Sequence, residues 1–255
     1  MKVYALLNMK GGVGKTTTSL NVATGLSMLG YKTLLIDFDP QANTTDTFIP
    51  DDQEPAITVD KLIFEPSLTN EAIINVMPNL DLIPSSIDLA ETELNLSSQR
   101  KFAQHNRLQM ILKEVKDRYD FIFIDCQPII NTLTINVILA SDMIIIPVKP
   151  EKYAIRGFQA TVNNIIDVKN GFEARANFKL LVTMRNRIKN DTEIITQLKE
   201  MNIPMYQTEI RYQAKPVTDA ANNDKLLIQS KSNVSLDYQN LVKEVENESV
   251  AQTGK

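Results

Sequence analysis

Apolar residues along the chain gather in short continuous runs, separated by longer stretches with helical spacing. The runs Val3–Asn8, Thr33–Ile36, Leu80–Ile83, Phe121–Ile124, Met143–Pro147 and Lys179–Thr183 have strand length, and a weaker one lies near Met205–Ile210. Several are apolar at consecutive positions, the pattern of strands covered on both faces of a parallel sheet. Between them, Thr17–Leu29, Arg107–Lys116, Asn131–Ala140, Gly157–Lys169 and Thr192–Met201 read as amphipathic helices. This alternation predicts βαβ units: one doubly wound α/β domain over 1–255, its mostly parallel sheet flanked by helices on both faces. Thr44–Pro55, with two prolines and four acids, reads as an exposed loop, and 249–255 as a flexible tail.

Composition narrows the class. The 255 residues carry 27 Lys+Arg against 31 Asp+Glu, and 43% are hydrophobic, which excludes a disordered chain. Cys126 is the only cysteine, so a disulfide scaffold is excluded and a reducing compartment expected. No apolar stretch approaches the roughly 20 residues of a membrane-crossing helix. Val3–Leu7 is too short for the core of a signal peptide, and a cytoplasmic protein is expected. With His105 as the single histidine, no His-based metal site or triad can be assembled; it reads as a surface helix residue, and Met28 and Met110 as packing residues.

The sharpest chemical signal is Lys10-Gly11-Gly12-Val13-Gly14-Lys15-Thr16-Thr17, between the first strand and the first long helix. Glycines there let backbone N–H groups turn inward as an anion nest, with the positive end of the helix behind them. This is a P-loop in its required context: Lys15 would reach the β- and γ-phosphates of ATP and the Thr16 hydroxyl would ligate Mg²⁺. Met9 stands where the ordinary pattern has glycine, and Lys10 follows. That second lysine is either a solvated residue after a strand or extra positive charge at the transferring phosphoryl group, acting in its own site or across a dimer.

Two acidic segments accompany the loop. Leu34–Gln41 is a buried strand ending in Asp37-Phe38-Asp39-Pro40, and ligands gather at the carboxyl ends of parallel strands. Acids at i and i+2 share a face, which suits one near Mg²⁺ and one near the attacking water. Tyr119–Asp125 has the form of a second metal-binding strand, with Asp125 holding Mg²⁺ through water.

Lys-Gly-Gly-Val-Gly-Lys-Thr-Thr resembles the deviant Walker A loop of the ParA/MinD ATPases, and Asp-x-Asp-Pro-Gln resembles that family's second motif. The resemblance runs over nearly the whole chain and begins at its first residues, so no N-terminal helix-turn-helix domain is expected. It implies that Lys10 contacts the nucleotide of a partner subunit in an ATP sandwich dimer, that Asp39 positions the hydrolytic water, and that Asp37 lies near the metal. The chain departs from relatives at Cys126-Gln127-Pro128, where Gln127 replaces the first proline of Asp-x-Pro-Pro.

Branches of the family differ in what the ATP dimer acts on. An iron-protein branch needs two cysteines per subunit and is excluded. A MinD-like branch, regulating placement of a complex at the membrane, needs a basic amphipathic tail. Here Ser235–Lys255 holds four acids and two bases, so membrane binding is not expected. A metabolic ligase or kinase would need an acceptor motif that is not found. The partition branch binds DNA without sequence preference. Between Lys169 and Lys215 nine bases face five acids in a chain of net charge −4, and two clusters stand out: Arg185, Arg187 and Lys189, then Arg211 and Lys215. Contacts from such clusters to DNA phosphates would be salt-sensitive. The expectation is a slow ATPase, nucleoid-associated when ATP-bound, that segregates plasmid or chromosomal DNA and is stimulated by a ParB-like centromere-binding protein.

Overall fold

The computed structural model describes residues 1–50, 52–98, 104–222 and 226–253. Seven strands form one sheet in the order β3-β4-β2-β5-β1-β6-β7. They are β1 (Lys2–Leu6), β2 (Thr33–Phe38), β3 (Ile74–Met77), β4 (Leu80–Ile83), β5 (Phe121–Cys126), β6 (Met143–Val148) and β7 (Asn177–Val182). All neighbours are parallel except β3, which pairs antiparallel with β4 at the edge. The helices are α1 (Lys15–Met28), α2 (Asn43–Asp46), α3 (Val59–Phe64), α4 (Thr69–Ala72), α5 (Leu89–Ser98) and α6 (Arg107–Glu114). They continue with α7 (Thr132–Ala140), α8 (Ala154–Phe172), α9 (Lys189–Glu200), α10 (Ala214–Asn222) and α11 (Asn233–Thr253).

β2, β5 and β6 are buried at every residue, as strands covered on both faces must be. Their side chains divide by alternation into two cores. Tyr4, Leu6, Leu35 and Phe123 pack beneath α1 and α11, whereas Ala5, Ile36, Phe38, Ile124 and Cys126 pack on the opposite face with α6, α7 and α8. In α11 the buried positions Val234, Tyr238, Leu241, Val242 and Val245 follow helical spacing. Gly25 of α1 sits against that helix so closely that a β-carbon would collide with Val242 and Ile228.

Five expectations need correction. The run at Met205–Ile210 forms no strand; it follows β7 through Tyr206 N to Leu180 O (2.9 Å) and Ile210 N to Val182 O (2.8 Å). The stretch 44–55 is not wholly exposed, because Thr44 and Thr45 are buried in α2. α11 continues through the expected tail to Thr253, anchored by an ion pair from Lys179 of β7 to Glu248; residues 254 and 255 lie outside the described ones. His105 sits in a turn, half-buried, its ring 4.7 Å from that of Phe172, and Met28 is exposed rather than packed. No helix among the described residues is long and apolar enough to cross a membrane.

Candidate nucleotide site

The glycine loop between β1 and α1 is strapped at both ends. Asn8 Nδ2 donates to Pro147 O at the end of β6 (2.7 Å), and Asn8 Oδ1 accepts from Lys10 N (2.9 Å). From the end of β7, Thr183 Oγ1 donates to Val13 O (2.8 Å). Gly12 (φ 68°) and Gly14 (φ 87°) take left-handed conformations that a side chain would strain. Gly14 precedes the first turn of α1, which has no side-chain cap and no acid. Its leading N–H groups therefore remain available to an anion. Gly11 and Gly12 are exposed, while Val13 is buried and anchors the loop to the core.

Lys15 is buried, and its Nζ reaches Lys10 O at 3.4 Å. Burial pulls its ammonium below the ordinary lysine range, while Asp125, Cys126 and Asp39 act in the opposite direction. Thr16 and Thr17 follow on the first turn, half-buried. Lys10 is ion-paired with Glu151, which also takes Lys149 Nζ at 2.8 Å.

The acids lie at the carboxyl ends of adjacent strands, Asp37 of β2 in register with Asp125 of β5. Asp125 is buried. Its Oδ2 accepts from Thr44 Oγ1 (2.8 Å), whereas Oδ1 is enclosed with no hydrogen bond. Burial pushes its carboxyl up to about 6, opposed by the hydroxyls of Thr16 and Thr44 and by Lys15. An orphaned carboxylate oxygen beside Thr16 and Lys15 fits a hard divalent cation that shares a phosphate. Among the described residues no group of three or more His, Cys, Asp or Glu side chains could cage a metal. A Mg²⁺ held by Thr16 and Asp125 would therefore draw its other ligands from phosphate and water.

Asp37, expected near the metal, lies beside Asp125 in the register, and both of its oxygens are engaged by the loop that follows β2. Its Oδ1 accepts from Asp39 N (3.2 Å) and its Oδ2 from Thr45 N (2.9 Å) and Thr45 Oγ1 (2.8 Å). Burial, then repulsion from Asp125, raises this carboxyl to about 7. Asp37 is thus an anchor for the loop that carries Asp39 and Thr44. Asp39 is itself nearly buried and accepts from Gln41 N (2.9 Å). Neither Thr44 nor Thr45 stood out in the sequence, since the acids and prolines that follow make the stretch look exposed. Thr45 Oγ1 also accepts from Ser85 N (2.9 Å), tying the loop to β4.

Beside the loop, a cavity of about 220 Å³ is bounded by Gly14, Thr17, Met184, Ile210, Tyr212 and Tyr238. Its apolar walls and its contact with the start of α1 suit a planar base whose phosphates enter the glycine loop.

The two basic clusters meet. Arg185 N donates to Ile210 O and Tyr212 N to Arg185 O, both at 2.9 Å. Arg185 is ion-paired with Glu209, and Arg211 grips Asp237 with Nε and NH2, each at 2.7 Å. Lys189 lies 3.6 Å from Glu193 in an exposed pair. Arg187 and Lys215 are exposed and make no ion pair among the described residues.

Residues 1–182 match a protein-family model described as an AAA domain. The sporulation initiation inhibitor protein Soj of Bacillus subtilis is 33% identical over 250 residues, covering 96% of this chain and 98% of Soj. A plasmid partition protein from Borrelia burgdorferi is 26% identical with a TM-score of 0.77, over 97% of this chain and 98% of that one. Cobyrinic acid a,c-diamide synthase from Mycobacterium smegmatis, with bound ADP and magnesium, superimposes with a TM-score of 0.85 over 100% of this chain and 96% of that one. At 23% identity, that likeness is one of fold alone.

Proposed function

The chain belongs to the ParA/Soj/MinD family of deviant Walker A P-loop ATPases, and from that membership we propose that it is an ATP-driven switch for DNA partition. The observation that carries the nucleotide half is convergence: Lys15 is buried at the start of α1, with Asp39 and the orphaned Oδ1 of Asp125 at the ends of neighbouring strands. In this reading the N–H groups of residues 11–17 cradle the phosphates and Lys15 pairs with them. Thr16 and Asp125 would hold Mg²⁺, which would supply charge that neutralises the phosphates. Asp39 orients the attacking water, fixed in place by the turn that Asp37 and Thr45 build beneath it. Lys10 leaves Glu151 and contributes its charge to the nucleotide of a second subunit, so that ATP closes a sandwich dimer.

The DNA half rests on the meeting of the two basic clusters at one place. Because Arg185 and Arg211 are engaged by Glu209 and Asp237, they shape that surface, and Arg187, Lys189 and Lys215 offer the phosphate contacts. Dimerisation doubles the surface, hydrolysis separates it, and a ParB-like partner sets the timing. Binding to random-sequence duplex DNA, measured without nucleotide, with ADP and with ATP across a salt series, tests the reading. Binding confined to ATP, lost on Lys15→Ala and falling with salt, is expected. ATP hydrolysis without DNA binding in any state would sink the partition role and leave the ATPase standing.

A further inference from the structure

Gln127 brings a polar group to a position where the family resemblance leads one to expect a proline. In β5, Phe121 and Phe123 pack on the α1 face of the sheet and Ile122, Ile124 and Cys126 on the other. Alternation carries Asp125, and then Gln127 as the strand runs out, to the α1 face. In β2, Leu35 packs on that same face and Ile36 and Phe38 on the other, so Asp37 and Asp39 share it too. The register pairs Asp37 with Asp125 and Phe38 with Cys126, where both strands end, so Asp39 and Gln127 are the next residue of each neighbouring strand. Gln127 is 6% exposed, and its Nε2 is buried with no hydrogen-bond partner. An amide donor left in that state destabilises the fold, and such an exception calls for an explanation. A ligand that completes the bond is one.

We propose that Gln127 is a further catalytic residue of this ATPase, its Nε2–H donating to an oxygen of the γ-phosphoryl group beside the water that Asp39 orients. The inference rests on the ATPase reading above. In the step it serves, the water oxygen bonds to the γ-phosphorus while the bond to the β–γ bridging oxygen breaks. The electron pair leaves with ADP, and the water proton passes to the released phosphate. The amide undergoes no covalent change; it stabilises charge growing on the phosphoryl oxygens, as preorganised donors do.

Gln127→Met keeps the length of the side chain and removes the donor. Expected is a fall in kcat of roughly 10²-fold with ADP affinity unchanged. Affinity for ADP with aluminium fluoride, a mimic of the transferring phosphoryl group, should fall by about the same factor. The unfolding midpoint of the nucleotide-free protein should hold or rise, because an unpaired buried donor has gone. Gln127→Glu, which also removes the donor, should lose kcat likewise. An unchanged kcat in Gln127→Met, equal losses of ADP and ADP–aluminium fluoride affinity, or a lowered midpoint would each overturn the inference while wild-type hydrolysis stands. A wild-type protein that binds no ATP would overturn the ATPase reading, and this inference with it.

Discussion

Lys10 is ion-paired with Glu151 of its own chain, and the same carboxylate holds Lys149. Lys10, then Lys149, keeps the Glu151 carboxyl below its usual range. Both members of the Lys10 pair are about one-third exposed, at 34% and 36%, so the pair adds on the order of 1 kcal/mol or less to folding. Its consequence lies in where Lys10 is held: a lysine needed across a dimer must first part from Glu151. Glu151→Gln is expected to leave the unfolding midpoint nearly unchanged and to lower the ATP concentration at which dimers form. Light scattering across an ATP titration checks this, and an unmoved titration would show that the pair restrains nothing.

Thr44 joins the loop after β2 to β5, donating to Asp125 Oδ2 while Oδ1 stays unbonded. The hydroxyl therefore fixes which oxygen is left for a cation. Thr44→Val strands Oδ2 in the interior, a loss of about 1–3 kcal/mol, and should raise the Mg²⁺ concentration needed for half-maximal hydrolysis. Thr44→Ser keeps the donor and should keep the wild-type Mg²⁺ requirement. Equal Mg²⁺ requirements in all three proteins would remove Thr44 from the metal site.

The raised carboxyl of Asp37 makes a prediction about pH. Burial first, and Asp125 second, place its folded pKa at about 7 against 3.8 for the free group. Between those values the folded protein binds a proton that the unfolded chain has released. This contribution is fully present below about pH 4 and is lost as pH rises through 7. The nucleotide-free protein should therefore melt higher at pH 5 than at pH 8 on account of this group. Asp37→Asn should flatten the slope over that window while lowering stability overall, since an amide replaces the acceptor used by Thr45. Scanning calorimetry on both proteins from pH 5 to 8 measures the difference.

Much of this architecture is legible because buried strands and a phosphate loop leave strong local signals. Phe121–Ile124 and Met143–Pro147 are apolar at nearly every position, and the observed strands extend those runs by no more than two residues. The glycine loop declares itself because glycine takes the positive φ values found at 12 and 14 without strain. What escaped depends on tertiary placement. Edge strand β3 is four residues, Ile74–Met77, stabilised by its neighbour β4. Thr44 and Thr45 are buried only because Asp125 and Asp37 reach them from other strands. Arg185 and Arg211 look like free cations in sequence, but their acids come from Glu209 and from Asp237 on α11.

That pairing separates two kinds of basic residue, and their variants should behave differently. Arg211 donates three hydrogen bonds to Asp237, one from its backbone and two from the guanidinium, and the Asp237 side chain is only 7% exposed. Removing the guanidinium leaves that carboxylate short of partners away from water, so Arg211→Ala should destabilise the fold by about 1–3 kcal/mol. Any loss of DNA binding would then follow the folded fraction, with the salt slope preserved. Arg187→Ala and Lys215→Ala break no ion pair among the described residues, so their unfolding midpoints should stay put. If each residue neutralises one phosphate, each variant should make the log–log salt slope shallower by about 0.9 per chain, or roughly twice that in a dimer. Equilibrium binding in a salt series alongside urea unfolding distinguishes the cases. A salt slope unchanged in both exposed variants would remove this surface from the DNA contact.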